Sequence, residues 1–384
     1  MTRQIPRYIW GLERWPEFAW EAAALLPALG EARRLQGQLL GNMSRVGFND
    51  RRKATAETLA DDAIETSQIE GEVLSRSAVR SSVARRLGIP LGAVHPTDAK
   101  TEGVVDVMID ATSHYDDALT TDRLFRWHRS LFPVDRENDM RMAIGRWRDD
   151  LQGPMQVISA RLDRQTVHYE APPADRVDAE MRKFLYWFNL EKHGDGLIRS
   201  AIAHLWFVTI HPFEDGNGRI ARAIGDLVLA QDEASPDRFY SISRQIRIDK
   251  KDYYDILEST QKGGLDITAW LEWFLGCYSR AINGARHVLS DVLKATRFWD
   301  AVRGIEMSSR QRAVLNRLLD GFEGKLTTRK WAKLGKTSDD TALRDIKDLL
   351  GKGVLVKNAG GSRTTSYSLA SIENADLPTR NFAR

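Results

Sequence analysis

The stretch HPFEDGNGRIAR at residues 211–222 combines side chains that transfer protons, hold metals and bind anions. Pro212 ends the preceding apolar helix, so His211 projects from a helix-to-loop junction, where imidazole suits the task of a general base. Gly216 and Gly218 permit a tight turn and the close approach of a ligand at the start of the next helix. The free N–H groups there favour an anion, so the order of these residues predicts a phosphate site with a base at its edge.

The same stretch supplies charges for a polyphosphate. Arg219 and Arg222 fall in the first turn of that helix, where cations oppose the helix dipole unless an anion lies nearby. Asp215 offers one hard oxygen ligand, and one carboxylate with phosphate oxygens and waters commonly holds Mg²⁺. Zinc is disfavoured, because no HExxH motif and no nearby cysteine or histidine completes a ligand set. The pattern predicts phosphoryl or nucleotidyl transfer. A structural turn explains each residue singly but not their order.

HPFEDGNGRIAR resembles the HxFx(D/E)GNGRxxR motif of Fic-domain proteins and matches it at every defined position. The resemblance covers roughly residues 60–295. It implies transfer of AMP from Mg-ATP to a hydroxyl side chain (Ser, Thr or Tyr) of a target protein, with Mg²⁺ as the cofactor. Doc-type kinases phosphorylate through the same fold and alter the GNGR part of the motif. That part is intact here, so AMP transfer is the preferred interpretation.

The resemblance implies a role for most residues of the motif. His211 would be the base that deprotonates the target hydroxyl, and Asp215 would hold Mg²⁺. Phe213 would anchor the loop in the core, whereas Glu214 lies at a variable position and receives no role. Contacts to the triphosphate are implied for Gly216, Asn217, Gly218, Arg219 and Arg222.

A second segment, DYYDILESTQKG at residues 252–263, resembles the adenine pocket of the family. A tyrosine pair and a later amide meet the base there, which points to Tyr253, Tyr254 and Gln261, although relatives often carry asparagine at the last position. Packing of a helix face on the core explains either tyrosine alone equally well. His204, in the middle of an apolar helix, is expected to be a structural core histidine.

TSQIEG at residues 66–71 places Glu70 at the C-terminal end of a predicted helix, where the helix dipole disfavours an acid by roughly 0.3–1 kcal/mol. A solvated glutamate would tolerate this position. Thr66, Glu70 and Gly71 also match the (S/T)xxxE(G/N) inhibitory motif of Fic proteins in the class where the inhibitory helix precedes the core. The resemblance therefore implies autoinhibition by Glu70. It leaves open whether the chain also removes AMP from its target, a reaction assigned to this glutamate in some relatives.

The composition limits the kinds of protein that this chain can be. The chain has 384 residues and a net charge of +3 from 56 basic and 53 acidic side chains, a balance too even for a nucleic-acid binder overall. A single cysteine, Cys277, excludes an intrachain disulfide and fits a reducing compartment. No signal peptide and no membrane-spanning run are evident, so a cytoplasmic protein without membrane contact is expected.

Most of the chain shows the apolar spacing of helices, so helices must position these residues. The predicted fold class is therefore mostly α. Before the C-terminal region, only residues 155–159 and 166–171 are predicted as strands, and they form a small β-hairpin flap that in the family docks the target segment by strand addition. Turn-forming residues at 89–98 predict the first boundary between domains, called the seam below. Helices are predicted at 17–45, 53–70, 75–88, 101–118, 122–131, 175–192, 197–210, after 218, and at 250–262 and 267–295.

Three domains are predicted: an N-terminal helical region with the inhibitory motif at residues 1–95, a Fic catalytic core at 96–300 and a winged helix at 305–372. The winged helix is predicted from three helices followed by a glycine-turned hairpin. WPEFAW at 15–20 and RLQGQLLGNM at 34–43 resemble the N-terminal helical region attached to many bacterial Fic proteins.

The winged helix supports a rival interpretation, a DNA-binding transcriptional regulator with a nucleotide-sensing Fic domain. Its recognition helix would be DDTALRDIKDLL, whose acidic residues are unfavourable next to the negative charge of DNA. Lys352, Lys357 and Arg363 would contact phosphates. Winged helices also dock proteins, so DNA and a protein both stay open as partners of this region. Dimers are common in the family, so a homodimer is a further expectation. The identity of the target protein is beyond the sequence.

Overall fold

The structure, a computed structural model, describes residues 7–44, 46–89, 95–133, 142–151, 153–161, 164–191, 194–319, 324–359 and 365–370. Within these ranges it contains fourteen α-helices and two small antiparallel hairpins, which confirms the mostly α fold class. The chain divides into two compact units, residues 1–286 and 287–384. No helix in the described ranges is long and apolar enough to cross a membrane.

The helices of the first unit follow the sequence periodicity closely. After a short 3₁₀ helix at Ile9–Gly11 they are α1 (Ala22–Met43), α2 (Phe48–Ile69), α3 (Arg76–Arg86), α4 (Ala99–Ser113), α5 (Thr121–Leu131), α6 (Ala174–Leu190), α7 (Gly196–Ile210), α8 (Asn217–Glu233), α9 (Ile242–Ile248) and α10 (Lys250–Gln261). Helix α11 (Thr268–Ala301) begins in this unit and ends in the second. Helix α9 is not among the predicted helices, because its seven residues are too few for a clear apolar period.

The first predicted helix begins later than the sequence suggests. Residues 17–21 lie outside α1, because their backbone pairs with the segment before α11. The N–H of Ala19 donates to the carbonyl of Leu265 at 2.8 Å, and the N–H of Ile267 donates to the carbonyl of Ala19 at 2.9 Å. Tertiary pairing therefore overrides the helical propensity of this segment.

Side chains at the helix starts satisfy backbone donors that would otherwise lack partners. Asp98 accepts from the N–H of Thr101 at the start of α4, Thr120 accepts from Arg123 at the start of α5, and Asp195 accepts from Leu197 at the start of α7. Helix α2 ends at Ile69, with Glu70 as its C-terminal cap. Gly71 follows with a left-handed φ of 83°, a conformation that commonly ends a helix.

Helices α7 and α8 pack against each other at the centre of the first unit. Every residue of α7 after Gly196 is buried, as its apolar sequence predicts. Most of α8 is buried too, including Arg219 and Arg222 of the motif. The loop at residues 211–216 joins the two helices, so the chemistry-bearing stretch starts and ends on rigid, buried elements.

The predicted flap is present as β1 (Gln156–Arg161) and β2 (Arg164–Glu170). The strands are antiparallel, with Gln156 opposite Glu170 and a register shift between Val157 and Ile158. In the described part of the chain β1 pairs with β2 alone, so its other edge is unpaired.

The second unit contains α12 (Ser309–Leu319), α13 (Thr328–Gly335), α14 (Asp339–Gly351), β3 (Leu355–Lys357) and β4 (Tyr367–Leu369), in the order that the sequence predicts. Trp331 is fully buried in its core. Nζ of Lys352 donates to the carboxylate of Asp348 and to the carbonyl of Glu306, both at 2.8 Å. Its expected contact with phosphate stays a prediction. Arg363 and residues 90–94 of the predicted seam lie outside the described ranges.

Candidate active site

His211 is held in an uncommon backbone conformation at the end of α7. Its φ of 52° and ψ of 57° are left-handed, which a residue with a β-carbon keeps only when its surroundings enforce it. Arg148 provides that enforcement. Its Nε donates to the carbonyl of His211 at 2.7 Å, and its backbone N–H donates to the carbonyl of Pro212 at 3.0 Å. The sequence pattern does not single out Arg148, because it lies 63 residues before its partner.

Arg148 is itself fixed by its surroundings. Its guanidinium is buried, pairs with the carboxylate of Asp150 at 3.0 Å and also donates to the carbonyl of Pro172. The other oxygen of Asp150 accepts from the N–H of Ala174 at the start of α6, at 2.7 Å. A continuous set of hydrogen bonds thus ties the backbone of His211 to the rigid start of α6.

The imidazole of His211 is oriented as a base. Its Nδ1 lies 3.1 Å from the carbonyl of Val208, which can only accept, so Nδ1 carries the proton and Nε2 carries the lone pair. Burial lowers the pKa of His211 to about 4, and the positive charge of Arg148 acts in the same direction. The ring is therefore neutral at physiological pH.

Phe213 anchors the loop, as the family resemblance implies. Its ring is fully buried and stacks on the ring of His128 with centroids 4.2 Å apart. The side chain of Asn217 binds both backbone groups of Phe213, accepting from its N–H at 3.0 Å and donating to its carbonyl at 2.8 Å. Because the amide of Asn217 is committed to the loop, its backbone N–H is the group that remains for a phosphate.

His128 is a second residue that the sequence pattern does not single out. Its Nδ1 accepts from the N–H of Gly145 at 2.9 Å, so its Nε2 carries the proton that points to the carbonyl of Asp215 at 3.2 Å. Burial lowers the pKa of His128 to about 4, which keeps this neutral tautomer at physiological pH. His128 therefore holds both the ring of Phe213 and the peptide group that carries Asp215.

Asp215 and Gly216 form the turn into α8. Gly216 has a left-handed φ of 79°, and a β-carbon there would lie 2.9 Å from the ring of Phe132, so only glycine fits. The N–H of Gly216 donates to Oδ1 of Asp215 at 2.5 Å. The side chain of Asp215 remains 61% exposed, which leaves its carboxylate accessible to a cation.

Gly218 lies directly beneath the carboxylate of Glu70. A β-carbon at this position would lie 2.3 Å from Oε1 of Glu70 and 3.2 Å from Nη1 of Arg222. The first turn of a helix favours an anion, and the carboxylate of Glu70 occupies that place here.

Glu70 and Thr66 bind Arg222 together. Nη2 of Arg222 donates to Oε1 of Glu70 at 2.6 Å, and its Nε donates to the hydroxyl of Thr66 at 2.7 Å. Burial alone would raise the pKa of Glu70, but the charges of Arg222, Arg219 and Lys250 outweigh it and lower that pKa. Glu70 is therefore ionised and paired, rather than solvated.

Arg219 has a different carboxylate partner. Its Nη1 donates to Oε2 of Glu72 at 2.9 Å, and its guanidinium lies 5.0 Å from the ring centre of Phe132. Oε1 of Glu72 lies 2.9 Å from Nζ of Lys100 on α4. The sequence pattern does not single out Glu72, because the inhibitory motif ends before it.

The predicted adenine-pocket residues lie on one side of α10. The hydroxyl of Tyr253 lies 2.9 Å from Nε2 of His204, and both residues are buried. Burial lowers the pKa of His204 to about 3, as expected of a core histidine. Tyr254 is 39% exposed, and Gln261 donates to the hydroxyl of Thr209 at 3.3 Å.

A cavity of about 580 Å³ joins these groups. The flap and α10 meet at its rim, where Nδ1 of His168 lies 2.7 Å from the carboxylate of Glu258. Arg219 and Phe213 are buried and do not line it. No group of three or more His, Cys, Asp or Glu side chains in the described ranges is arranged to hold a metal ion. The predicted site residues that line the cavity are Glu70, His211, Asp215, Gly216, Asn217, Gly218, Arg222, Tyr253, Tyr254 and Gln261.

Comparisons with known proteins identify parts of the chain. Residues 118–229 match the model of the Fic/DOC family, and residues 8–89 match a domain of unknown function (DUF4172). A protein adenylyltransferase Fic of Nematostella vectensis is 24% identical over 240 residues, which cover 60% of this chain and 50% of that protein. A probable protein adenylyltransferase of Aquifex aeolicus is 36% identical over 63 residues, or 16% of this chain and 20% of that protein. The chain thus spans half or less of the length of these relatives.

The fold has a counterpart among solved structures. The crystal structure of a Fic family protein from Desulfovibrio desulfuricans G20 superposes with a TM-score of 0.55 at 22% identity. The superposition covers 92% of this chain and 97% of that one. At this level of identity the similarity concerns the fold.

Proposed function

From the premise that this chain contains a Fic domain, we propose that it is a protein adenylyltransferase. It transfers AMP from Mg-ATP to a hydroxyl side chain of a target protein, and Glu70 holds it in an inhibited state. The adenylyltransferase names of the relatives from Nematostella and Aquifex support the reaction class. The geometry of the cavity supports the assignment of roles to residues.

One observation carries this proposal. The neutral imidazole of His211, with its lone pair on Nε2, lines the same cavity as the N-terminus of α8. A base and an anion site that share one cavity place an attacking hydroxyl next to a phosphate, which is the arrangement that transfer to a hydroxyl requires.

The chemical step follows from this arrangement. Nε2 of His211 accepts the proton of the target hydroxyl, whose oxygen attacks the α-phosphorus of ATP. The new oxygen–phosphorus bond forms as the bond to the bridging oxygen of the β-phosphate breaks, and pyrophosphate leaves. The backbone N–H groups at Asn217 and Gly218 stabilise the charge that develops on the phosphate oxygens.

The residues present fit Mg²⁺ and a triphosphate. The exposed carboxylate of Asp215 offers one hard oxygen ligand, which suffices when phosphate oxygens and water supply the rest. Bound Mg²⁺ would neutralise charge on the phosphates. The carboxylate of Glu70 above Gly218 stands in for a phosphate group, so the space there already accommodates an anion. Tyr254 and Gln261 border the part of the cavity assigned to the adenine.

The flap supplies a binding edge for the target. The outer edge of β1 is unpaired in the described part of the chain, and Ile158 on this strand is 47% exposed. An extended segment of the target would add to this edge, with backbone hydrogen bonds giving affinity and side-chain contacts giving selectivity.

Inhibition follows from the position of Glu70. Its carboxylate lies at the anion position over the first turn of α8. It also binds the guanidinium of Arg222, the group assigned to the γ-phosphate. ATP would bind in the presence of Glu70 in a pose whose α-phosphate is not open to in-line attack.

The decisive experiment uses ATP labelled at a defined phosphate. Wild-type protein and the Glu70→Gly variant are incubated with Mg²⁺ and ATP labelled at either the α- or the γ-phosphate, with and without cell lysate. Protein-bound label from the α-phosphate, and a mass increase of one AMP on a Ser, Thr or Tyr residue, are expected. Label from the γ-phosphate would show a kinase and overturn the proposal.

A further inference from the structure

The turn at residues 70–72 delivers two carboxylates to the two arginines of the motif. Glu70 binds Arg222 at 2.6 Å, and Glu72 binds Arg219 at 2.9 Å. The two acids are two residues apart, whereas the two arginines are three apart on one helical turn. A single turn after α2 therefore neutralises both cations assigned to the triphosphate.

Glu72 forms the short ion pair of Arg219, at 2.9 Å. The side chain of Arg219 is only 2% exposed, and the carboxylate of Asp215 lies farther away, at 4.0 Å. Among the residues that the structure describes, the buried Nε of Arg219 has no hydrogen-bond partner. A buried guanidinium that loses its carboxylate is strongly destabilised unless another anion replaces it. Removal of Glu72 therefore favours the binding of another anion at Arg219.

Lys100 holds Glu72 from the opposite side. Its Nζ lies 2.9 Å from Oε1 of Glu72, while Arg219 binds Oε2 of the same carboxylate. Lys100 belongs to α4 and is 46% exposed, so it fixes the turn to an element outside the motif helix.

We infer that Glu72 is a second inhibitory carboxylate, which withholds Arg219 from the triphosphate as Glu70 withholds Arg222, and that Lys100 holds it in place. Because this role assumes that both arginines bind a triphosphate, it rests on the proposed function. Loss of Glu70 alone would then leave the site partly inhibited.

The test measures two quantities, the affinity for Mg-ATP by calorimetry and the rate of AMP transfer from α-labelled ATP. The variants are Glu70→Gly, Glu72→Gln and the combination of the two. Glutamine keeps the shape of residue 72 and an oxygen that accepts from Arg219, and it removes the charge. The double variant is expected to bind Mg-ATP at least about fivefold more tightly than Glu70→Gly, the lower end of the coupling between linked sites. It is also expected to transfer AMP faster.

Two further variants separate this role from a general loss of ion pairs. Glu57→Gln removes an acid on α2 that pairs with the exposed Arg80, away from the motif. It is expected to leave affinity and rate unchanged. Lys100→Met removes the support of Glu72 and is expected to change both quantities in the same direction as Glu72→Gln. Thermal unfolding of each variant shows whether the chain remains folded.

The outcomes separate failure of this inference from failure of the proposed function. If Glu70→Gly transfers AMP and the double variant neither binds Mg-ATP more tightly nor transfers faster, the inhibitory role of Glu72 is wrong and the proposed function stands. A weaker affinity would show that Glu72 positions Arg219 for the triphosphate, which also overturns the inference. If no variant transfers AMP, the proposed function fails, and the affinities alone decide whether Glu72 competes with a triphosphate.

Discussion

Oε1 of Glu70 lies 2.6 Å from Nη2 of Arg222, over the first turn of α8, where a β-carbon at residue 218 would collide with it. An acid at the C-terminal end of a helix is unfavourable by itself, but here it gains a charge-assisted hydrogen bond and the positive end of a second helix. Under the proposed function, this contact places the carboxylate where a phosphate of ATP would bind, so the contact would compete with ATP.

Glu70→Gly is therefore expected to raise AMP transfer, most visibly as self-modification. The increase should be roughly 5- to 150-fold, the usual range of coupling between two sites. The variant that combines Glu70→Gly with Arg222→Ala should be inactive, because the γ-phosphate loses its cation. Initial rates at saturating Mg-ATP measure both. A rate in Glu70→Gly equal to or below that of the wild type would dispose of the inhibitory role.

His211→Ala is expected to abolish transfer and to leave ATP binding largely intact, because Nε2 acts on the attacking hydroxyl. Removal of a general base typically costs about 10²–10⁴-fold in rate. The comparison is best made in the Glu70→Gly background, with ATP affinity measured separately. Activity within a few-fold of the parent would place the base elsewhere.

The lowered pKa of His211 makes a prediction about pH. Its pKa of about 4 means that the ring stays unprotonated, and active as a base, as pH falls well below the ordinary histidine range near 6.5. The kcat/KM of Glu70→Gly, which reports on the free enzyme, should stay level from neutral pH down to about pH 5 and fall near pH 4. The charge of Glu70 acts to raise the pKa of His211. Replacement of Glu70 by glycine removes that charge, so it does not raise the pKa of His211. An acidic limb centred near pH 6.5 would contradict this assignment.

Asp215→Ala is expected to reduce turnover to near background and to make it insensitive to added Mg²⁺, because the accessible carboxylate assigned to the metal is lost. Titration of Mg²⁺ at fixed ATP measures this. The neighbouring Glu214 provides a matched control, since Glu214→Ala removes an acid without an assigned role and should remain dependent on Mg²⁺. Retained Mg²⁺ dependence in Asp215→Ala would remove this residue from the metal site.

Arg148→Met is expected to lower kcat by at least about tenfold while the KM for ATP changes little. Arg148 holds the left-handed backbone of His211, and small displacements of a catalytic group are costly in rate. Arg146→Met is a matched control, because Arg146 is exposed and pairs only loosely with Asp149, at 3.7 Å. Arg148→Lys keeps the charge but loses the fork of donors, so it should restore only part of kcat. Equal loss of kcat in the Arg146 control would exclude a specific role for Arg148.

The sequence by itself determined the features that depend on neighbours along the chain. Helical periodicity predicted the mostly α fold and nearly every helix, because burial of one face imposes a regular apolar spacing. His211 precedes a proline, and Gly216 and Gly218 lie at the start of a helix. These features belong to one local helix–turn–helix segment of the chain. Their order therefore predicts a base beside an anion site without reference to any tertiary contact.

Only the tertiary structure decided which distant residues complete this site. Glu70 meets Arg222 across 152 residues of chain, and Glu72 meets Arg219 across 147. The resemblance to a motif suggested the first pair, but no pattern suggested the second, nor the support that Arg148 and His128 give to the loop. Such contacts depend on how helices pack, and packing brings together residues whose separation along the chain carries no periodic signal.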